Sequence, residues 1–261
     1  MLETASVAMA VYNGERFLEQ QIDSILEQLS SDDELVISYD ESQDGTLSLI
    51  SRYAETDGRV KIVRNAEPGV VGNFNNAIQN CCKDIIFISD QDDIWKSGKK
   101  DAMLRLLNET GADLAIHNVV HINGEGIVIS KPLFEEYGIR GGLLRNFAKP
   151  RYSGCCMAFP ASSKRLIMPM PSSVVNYDHW IGMVCEIFGT VVFDNRVFLE
   201  HRLHGGNVTT SRRKLKIVAA QRANLLCELF KKGSDDGKHY GMKCFYVQDG
   251  GKVVEDTYEE G

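Results

Sequence analysis

The chain has 261 residues, 43% of them hydrophobic and 25% charged, with a formal charge of -7 and a pI near 5.4. That length holds one large domain or two small ones, and the composition is ordinary for a globular protein. The acidic balance argues against a partner bound through bulk positive charge, so no nucleic acid is expected.

Seven cysteines include two adjacent pairs, Cys81-Cys82 and Cys155-Cys156, and no CxxC spacing. This usage fits a reducing compartment better than a disulfide framework. A strand-like run, Ser6 to Val11, begins almost at once, without the basic region and cleavage site of a signal peptide. No apolar run approaches the roughly 20 residues that a membrane-spanning helix needs. The expected address is the cytoplasm, with the inner membrane surface as a further option.

In chain order, Ser6–Val11 reads as a strand, and Phe17, Leu18, Ile22, Ile25, Leu26 and Leu29 repeat at helical spacing. Glu34–Tyr39 is the next strand, followed by a helix from about Thr46 to Ala54 and a short strand, Val60–Val63. Gly72–Cys81 reads as helix, Asp84–Ser89 as strand, Ser97–Asn108 as helix and Asp113–His117 as strand. This alternation predicts an α/β fold with a mostly parallel sheet flanked by helices, whose ligands bind at the carboxyl ends of the strands.

The second half is less regular. Pro132 to Pro150 reads as loop, Cys155–Phe159 as strand and Asp178–Phe188 as helix. Thr190–Phe193 and Val197–Glu200 read as two strands, and Ser211–Lys232 as a helix. Cys244–Val247 and Lys252–Glu255 flank Gln248-Asp249-Gly250-Gly251, which fits either a small hairpin or a frayed tail.

Polar clusters fall at the predicted strand ends. Asp90, Asp92 and Asp93 follow the apolar run Ile85 to Ile88. Carboxylates crowded there repel one another unless a cation compensates, and hard divalent cations favour oxygen ligands and bridge to phosphate. Strand alternation would put Asp90 and Asp92 on one face, with Asp93 diverging. Asp40 can accept a hydrogen bond from a base N–H, whereas Asp44 or Ser42 fits a helix cap. Asp178, before an apolar helix, reads as an N-cap or, in company with the other clusters, as a general base. Arg202 and His204 share a face if their strand persists, and they suit phosphate and metal respectively.

Taken in order, these clusters resemble the inverting glycosyltransferases of family 2, which have the GT-A fold. Ser6-Val7-Ala8-Met9-Ala10-Val11-Tyr12-Asn13-Gly14-Glu15 is similar to that family's first strand and nucleotide loop. Asp40-Glu41-Ser42-Gln43-Asp44-Gly45-Thr46 resembles its Asp-Asp-x-Ser-x-Asp-x-Thr element, with Tyr39-Asp40 where two aspartates are common. Asp90-Gln91-Asp92-Asp93-Ile94-Trp95 resembles the DxD metal motif, in the form typical of a bacterial rhamnosyltransferase-like, polysaccharide-biosynthesis branch. Tyr177-Asp178-His179-Trp180 and Arg202-Leu203-His204-Gly205-Gly206-Asn207 are similar to that branch's late motifs, with Tyr177 where much of the family has Glu.

The resemblance implies a GT-A domain over 1–210, with a nucleotide half over 1–117 and an acceptor half over 118–210, followed by a basic helix and tail over 211–261. It implies transfer of a sugar from a UDP- or dTDP-linked donor to a saccharide or lipid-linked saccharide, with inversion. Ala10, Tyr12, Asp40, Asp90 and Arg202 would serve the donor, Asp92 and His204 would hold Mg2+ or Mn2+, and Asp178 would be the base. A sugar nucleotidyltransferase is an alternative, although Tyr12-Asn13-Gly14-Glu15-Arg16 lacks the glycine density of its usual triphosphate loop. A non-catalytic carbohydrate-binding module is another. The helix 211–232 carries Arg212, Arg213, Lys214, Lys216, Arg222, Lys231 and Lys232, so it fits either a peripheral membrane contact or a core-packed helix with a solvated basic face.

Overall fold

The computed structural model describes residues 1–205, 215–236, 243–247 and 253–256. Strand β1 (Ala5–Val11) runs parallel to β2 (Glu34–Tyr39) and to β4 (Ile85–Ser89), and β3 (Val60–Arg64) adds parallel to β2. β1, β2 and β4 are apolar and buried almost throughout, as expected where helices cover both faces of a parallel sheet. The covering helices are α1 (Glu15–Leu26), α2 (Thr46–Thr56) and α3 (Val70–Asn80). α1 buries Leu18, Gln21, Ile22 and Ile25, one stripe at helical spacing. The register pairs Val11 with Tyr39 and Met9 with Ser89, so the carboxyl ends of β1, β2 and β4 share one rim.

Beyond β4 come β5 (Ile94–Trp95), α4 (Lys99–Thr110) and β6 (Leu114–Ile122). Two short helices follow, α5 (Leu133–Tyr137) and α6 (Leu143–Ala148), and then β7 (Met157–Pro160), α7 (Lys164–Ile167), α8 (Tyr177–Phe188) and β8 (Thr190–Arg202). The chain closes with α9 (Leu215–Asp236), β9 (Lys243–Val247) and β10 (Val253–Asp256). The sheet order is β10-β9-β8-β6-β7-β4-β1-β2-β3, with β5 paired to β8. The half from β4 to β3 is parallel, as predicted. The rest is mixed, because β7 runs antiparallel to both β4 and β6.

Several boundaries differ from the sequence reading for physical reasons. The two strands expected at 190–193 and 197–200 are one strand, β8. The polar stretch between them is a bulge, where the register steps from His117–Asp194 to Asn118–Val197. Arg196 closes back on Asp194 with Nη2 2.6 Å from Oδ2, and Asn118 Nδ2 donates to the Asn195 carbonyl at 3.1 Å. β6 runs past His117 to Ile122 because the second half of β8 continues to pair with it. Residues 132–150 hold α5 and α6, each too short for helical periodicity to register. β9 joins β8 in parallel and β10 folds back antiparallel on β9, so the hairpin alternative is the one adopted. Ser211 to Lys214, Asn207 and residues 248–252 lie outside the described residues.

Candidate active site

The loop after β1 turns at Asn13, whose positive φ of 47° suits asparagine. Asn13 N donates to Ser42 Oγ at 3.0 Å, and its Oδ1 accepts from Gln43 N at 2.8 Å, which joins the β1 and β2 loops. Gln91 ties in the β4 loop: its Oε1 accepts from Tyr12 N at 2.8 Å and its Nε2 donates to Tyr12 O at 2.9 Å. A Cβ on Gly14 would lie 2.6 Å from that Oε1, so glycine leaves room for the clip. Gln21 fixes the same loop from α1, with Nε2 donating to Ser89 Oγ (2.7 Å) and to Asp90 O (3.1 Å). Sequence reasoning missed the roles of Gln21 and Gln91. A polar residue inside the apolar stripe of α1 was the available signal for the first.

Ala10 lies near the end of β1, and Tyr12 projects from the rim 54% exposed. Asp40 is buried, with Oδ1 accepting from Asn65 Nδ2 at 2.6 Å and Oδ2 from Gly69 N at 2.9 Å. Its orientation is therefore set before any ligand arrives, and each oxygen keeps a second lone pair. Asp44 lies one residue before the capping position of α2, Gly45, and binds the first amide of two helices: Oδ1 accepts from Thr46 N at 3.1 Å and Oδ2 from Glu15 N at 3.2 Å.

The three acidic residues do not follow strand alternation. β4 ends at Ser89, and the turn that follows groups Asp90 with Asp93, not with Asp92. Ligand atoms of Asp90, Asp93, Cys155 and His201 lie within 4.8 Å of one another. Asp93 Oδ1 faces His201 Nδ1 at 2.9 Å and accepts from Arg202 N at 3.1 Å, while its buried Oδ2 has no hydrogen-bond partner among the described residues. Asp92 turns the other way, with Oδ2 2.8 Å from His204 Nε2. β8 ends at Arg202, yet Arg202 and His204 still converge on Asp92, the first on its carbonyl and the second on its carboxylate. Arg202 is buried: Nε donates to Asp92 O at 3.1 Å, Nη2 to Gln20 Oε1 at 2.7 Å and Nη1 to the carbonyls of Asn123 and Gly124 at 3.3 Å.

Burial, with Asp93 and Asp92 alongside, pushes the Asp90 carboxyl up to about 7. Burial and Asp93 also raise Asp92. Burial opposes charge on Asp93 as well, but His201 outweighs it and holds that carboxyl below its ordinary range. His201 in turn is driven up to about 10 against the cost of its own burial, by Asp93 first and then by Asp90 and Asp92. With one imidazolium among three crowded carboxyl groups, Asp90 holds a proton where a cation could compensate its charge instead. Together with the orphaned Asp93 oxygen, this fits a divalent cation with hard oxygen ligands. The Cys155 thiol, a soft ligand, suits Mg2+ or Mn2+ poorly, and the Asp92–His204 pair is a second set of ligand groups, separate from this cluster.

α8 brings Tyr177 to this rim, with Asp178 next to it in the same turn. The helix begins at Tyr177 with Asn176 at the capping position, so Asp178 is a first-turn residue and not the N-cap. Its Oδ1 accepts from His179 N at 2.7 Å. Tyr177 is buried against Phe74, with ring centroids 4.0 Å apart, and its hydroxyl donates to Asp90 Oδ1 at 3.2 Å. Tyr177 and His201 are site residues that the sequence reading did not assign.

A family model described as glycosyl transferase family 2 matches residues 6–166. Among curated relatives, α-D-GlcNAc-diphosphoundecaprenol β-1,3-glucosyltransferase WfgD of Escherichia coli is 28% identical over 47% of this chain and 48% of its own length. The chain spans about half or less of the length of most of the curated relatives it matches. Among solved structures, Staphylococcus aureus TarS with UDP-GlcNAc superposes with a TM-score of 0.65 at 16% identity, over 89% of this chain and 73% of that one. The mannosyltransferase PcManGT of Pyrobaculum calidifontis, with GDP-Man and Mn2+, gives 0.58 at 20% identity, over 92% and 66%. At such identities the structural likenesses establish the shared fold alone.

Proposed function

Because the chain belongs to glycosyl transferase family 2 and has the GT-A fold, we propose that it moves a sugar from a nucleoside-diphosphate donor to a hydroxyl of a saccharide or lipid-linked saccharide in bacterial polysaccharide synthesis. The observation that carries this reading is the gathering of Asp40, the Asp92–His204 pair and the Tyr177-Asp178 turn on one rim of one sheet. The UDP-GlcNAc bound by TarS supports a UDP-linked donor, and the undecaprenyl-linked acceptor of WfgD supports a lipid-linked one.

In this reading Tyr12 stacks on the base, Asp40 accepts a base N–H, and Asp90 receives the ribose beside Ala10. Asp92 and His204 would hold a divalent metal, a choice the Mn2+ in PcManGT supports. When bound, such an ion neutralises charge on the departing diphosphate. Arg202 would stand on the donor side, held by Gln20, Asn123, Gly124 and the Asp92 carbonyl, with its cation beside the diphosphate. It fixes the main chain from which the Asp92 carboxylate projects.

Asp178 takes the proton of the acceptor hydroxyl as that oxygen forms its bond to the anomeric carbon. The bond from the anomeric carbon to the diphosphate oxygen breaks on the opposite face, and one displacement inverts the centre. Replacing Asp178 with Asn is expected to abolish transfer while UDP affinity holds. Loss of UDP binding or of folding would refute the assignment. A thermal-shift panel of UDP-glucose, UDP-GlcNAc and dTDP-rhamnose with Mg2+ or Mn2+ identifies the donor, since a ligand of the native state raises the melting temperature by mass action.

No helix among the described residues is long and apolar enough to cross a membrane. The outward side of α9 exposes Leu226 and Phe230 beside Lys216 and Lys231. This supports a peripheral seat on an anionic lipid surface, near a lipid-linked acceptor. Liposome flotation without salt-sensitive binding would exclude it.

A further inference from the structure

We propose that Arg222 of α9 and His179 of α8 are positioning residues for Asp178, so that the C-terminal helix helps to set the base in place. The inference rests on Asp178 being the base.

His179 is buried, with Nε2 3.0 Å from the Asn146 carbonyl of α6 and Nδ1 3.1 Å from Arg222 Nη1. A carbonyl oxygen only accepts and a guanidinium only donates. The ring must therefore carry its proton on Nε2 and present a lone pair at Nδ1. The two partners together select one tautomer, neutral, in one orientation. Burial first and the Arg222 cation second hold its pKa down at about 4, so this state persists through neutral pH. A basic residue that the sequence reading assigned to the helix's charged set thus points inward.

Around Asp178, each neighbour is tied to a different part of the fold. Tyr177 donates to Asp90 at the end of β4, and Trp180 Nε1 donates to the Ile167 carbonyl of α7 at 2.8 Å. His179 bonds to α6, and Asn146 of α6 also reaches Glu186 Oε1 at 2.8 Å, two turns further along α8 on the same face. Arg222 is the anchor contributed by α9. That helix is itself seated by buried Leu225 and Leu229 and by the 3.1 Å contact from Ser173 Oγ to Glu228 Oε1, just ahead of α8. Val174, Asn176 and Gln221 line the small cleft between them. Without Arg222 the His179 ring loses its donor at Nδ1, and the first turn of α8 loses one anchor beside Asp178 while Tyr177 and Trp180 keep theirs. Donor-side groups stand on β1, β2 and β4, so such a change alters turnover more than donor affinity.

The test compares the full chain with Arg222→Met, which keeps the side-chain volume, and with Arg222→Lys, which restores a cationic donor. The readouts are UDP release from UDP-glucose and UDP-GlcNAc, UDP affinity, and amide hydrogen exchange over residues 176–180. Arg222→Met is expected to lower kcat on the order of tenfold to a hundredfold, to leave UDP affinity unchanged and to speed exchange in that turn. Arg222→Lys is expected to recover part of both effects. Unchanged kcat or unchanged exchange overturns the proposal, as does a loss of kcat matched by an equal loss of UDP affinity. If neither nucleotide sugar turns over, the exchange rates alone decide. An Asp178→Asn protein with full turnover refutes the base assignment itself, an outcome distinct from those above.

Discussion

The Tyr177 hydroxyl donates to Asp90 Oδ1 across 3.2 Å, joining the helix that carries Asp178 to the strand end that carries the acidic motif. A glutamate at position 177 would add a fourth carboxylate beside Asp90, Asp92 and Asp93. Tyrosine instead brings a donor, and burial, with Asp90 adjacent, pushes its pKa well up, so the phenol keeps its proton.

Tyr177→Phe should therefore retain the fold, because the stacking on Phe74 survives. The lost hydrogen bond is worth about 0.5–1.5 kcal/mol while Asp90 is protonated and about 1.5–3 kcal/mol once it is ionised. Calorimetric titration with UDP and Mn2+ is expected to show weaker binding, by about tenfold. Unaltered affinity would remove Asp90 from the donor site.

Gly154→Ala tests the same contact from behind. A Cβ at Gly154 would lie 2.3 Å from the Tyr177 ring and hydroxyl, too close for the ring to stay in place. Overpacking of this kind costs about 1–3 kcal/mol. A lower melting temperature together with weaker UDP binding is the expected outcome, and a neutral effect on both would show that the ring can move without consequence.

The site also dictates how stability responds to pH. The Asp90 carboxyl, pushed up to about 7, keeps a proton in the folded chain that the unfolded chain has already lost. Its contribution to stability thus falls as pH rises from the unfolded value near 4 and is gone above about 7. His201, raised to about 10, acts in the same direction at higher pH: its contribution is full below about 6.5 and is lost as pH climbs through 10. In EDTA, Asp90→Asn should flatten the decline in melting temperature between pH 5 and 8. Mn2+ should stabilise the native chain more at pH 8 than at pH 5, since the cation competes with protons for the carboxylates. A Mn2+ effect independent of pH would argue against these ligands.

His204→Ala and Asp92→Ala separate metal binding from base recognition. Each is expected to abolish the dependence of UDP affinity on Mn2+, while Asp40→Ala should weaken UDP with or without metal. If His204→Ala leaves the metal dependence whole, the alternative group of Asp90, Asp93, Cys155 and His201 becomes the site to test.

Much of the donor half was legible in the sequence because its signals are local. Apolar runs of five to seven residues marked β1, β2 and β4, and each polar cluster began where its run stopped. Asp40, Asp92 and Asp178 could be named from that pattern and from the family resemblance. Asp93 could not be understood in the same way. Strand alternation predicts that it diverges, whereas the turn after Ser89 folds it inward onto His201, a residue 108 positions away in the chain. The bulge in β8 misled for a related reason: Asp194-Asn195-Arg196 has the composition of a turn, and only pairing with β6 shows that the strand runs on.

What the sequence by itself determined was the order of strands and helices in the donor half, the acidic character of one sheet rim and the identity of the groups placed there. These follow from local burial patterns and side-chain chemistry, which act over a few residues. Tertiary structure alone decided which polar group faces which: Asp92 with His204, Asp93 with His201, Asp90 with Tyr177, and His179 with Arg222. Each pair joins segments 43 to 112 residues apart. Such pairing is set by the packing of α8, β8 and α9 on the sheet, and no spacing along the chain records it.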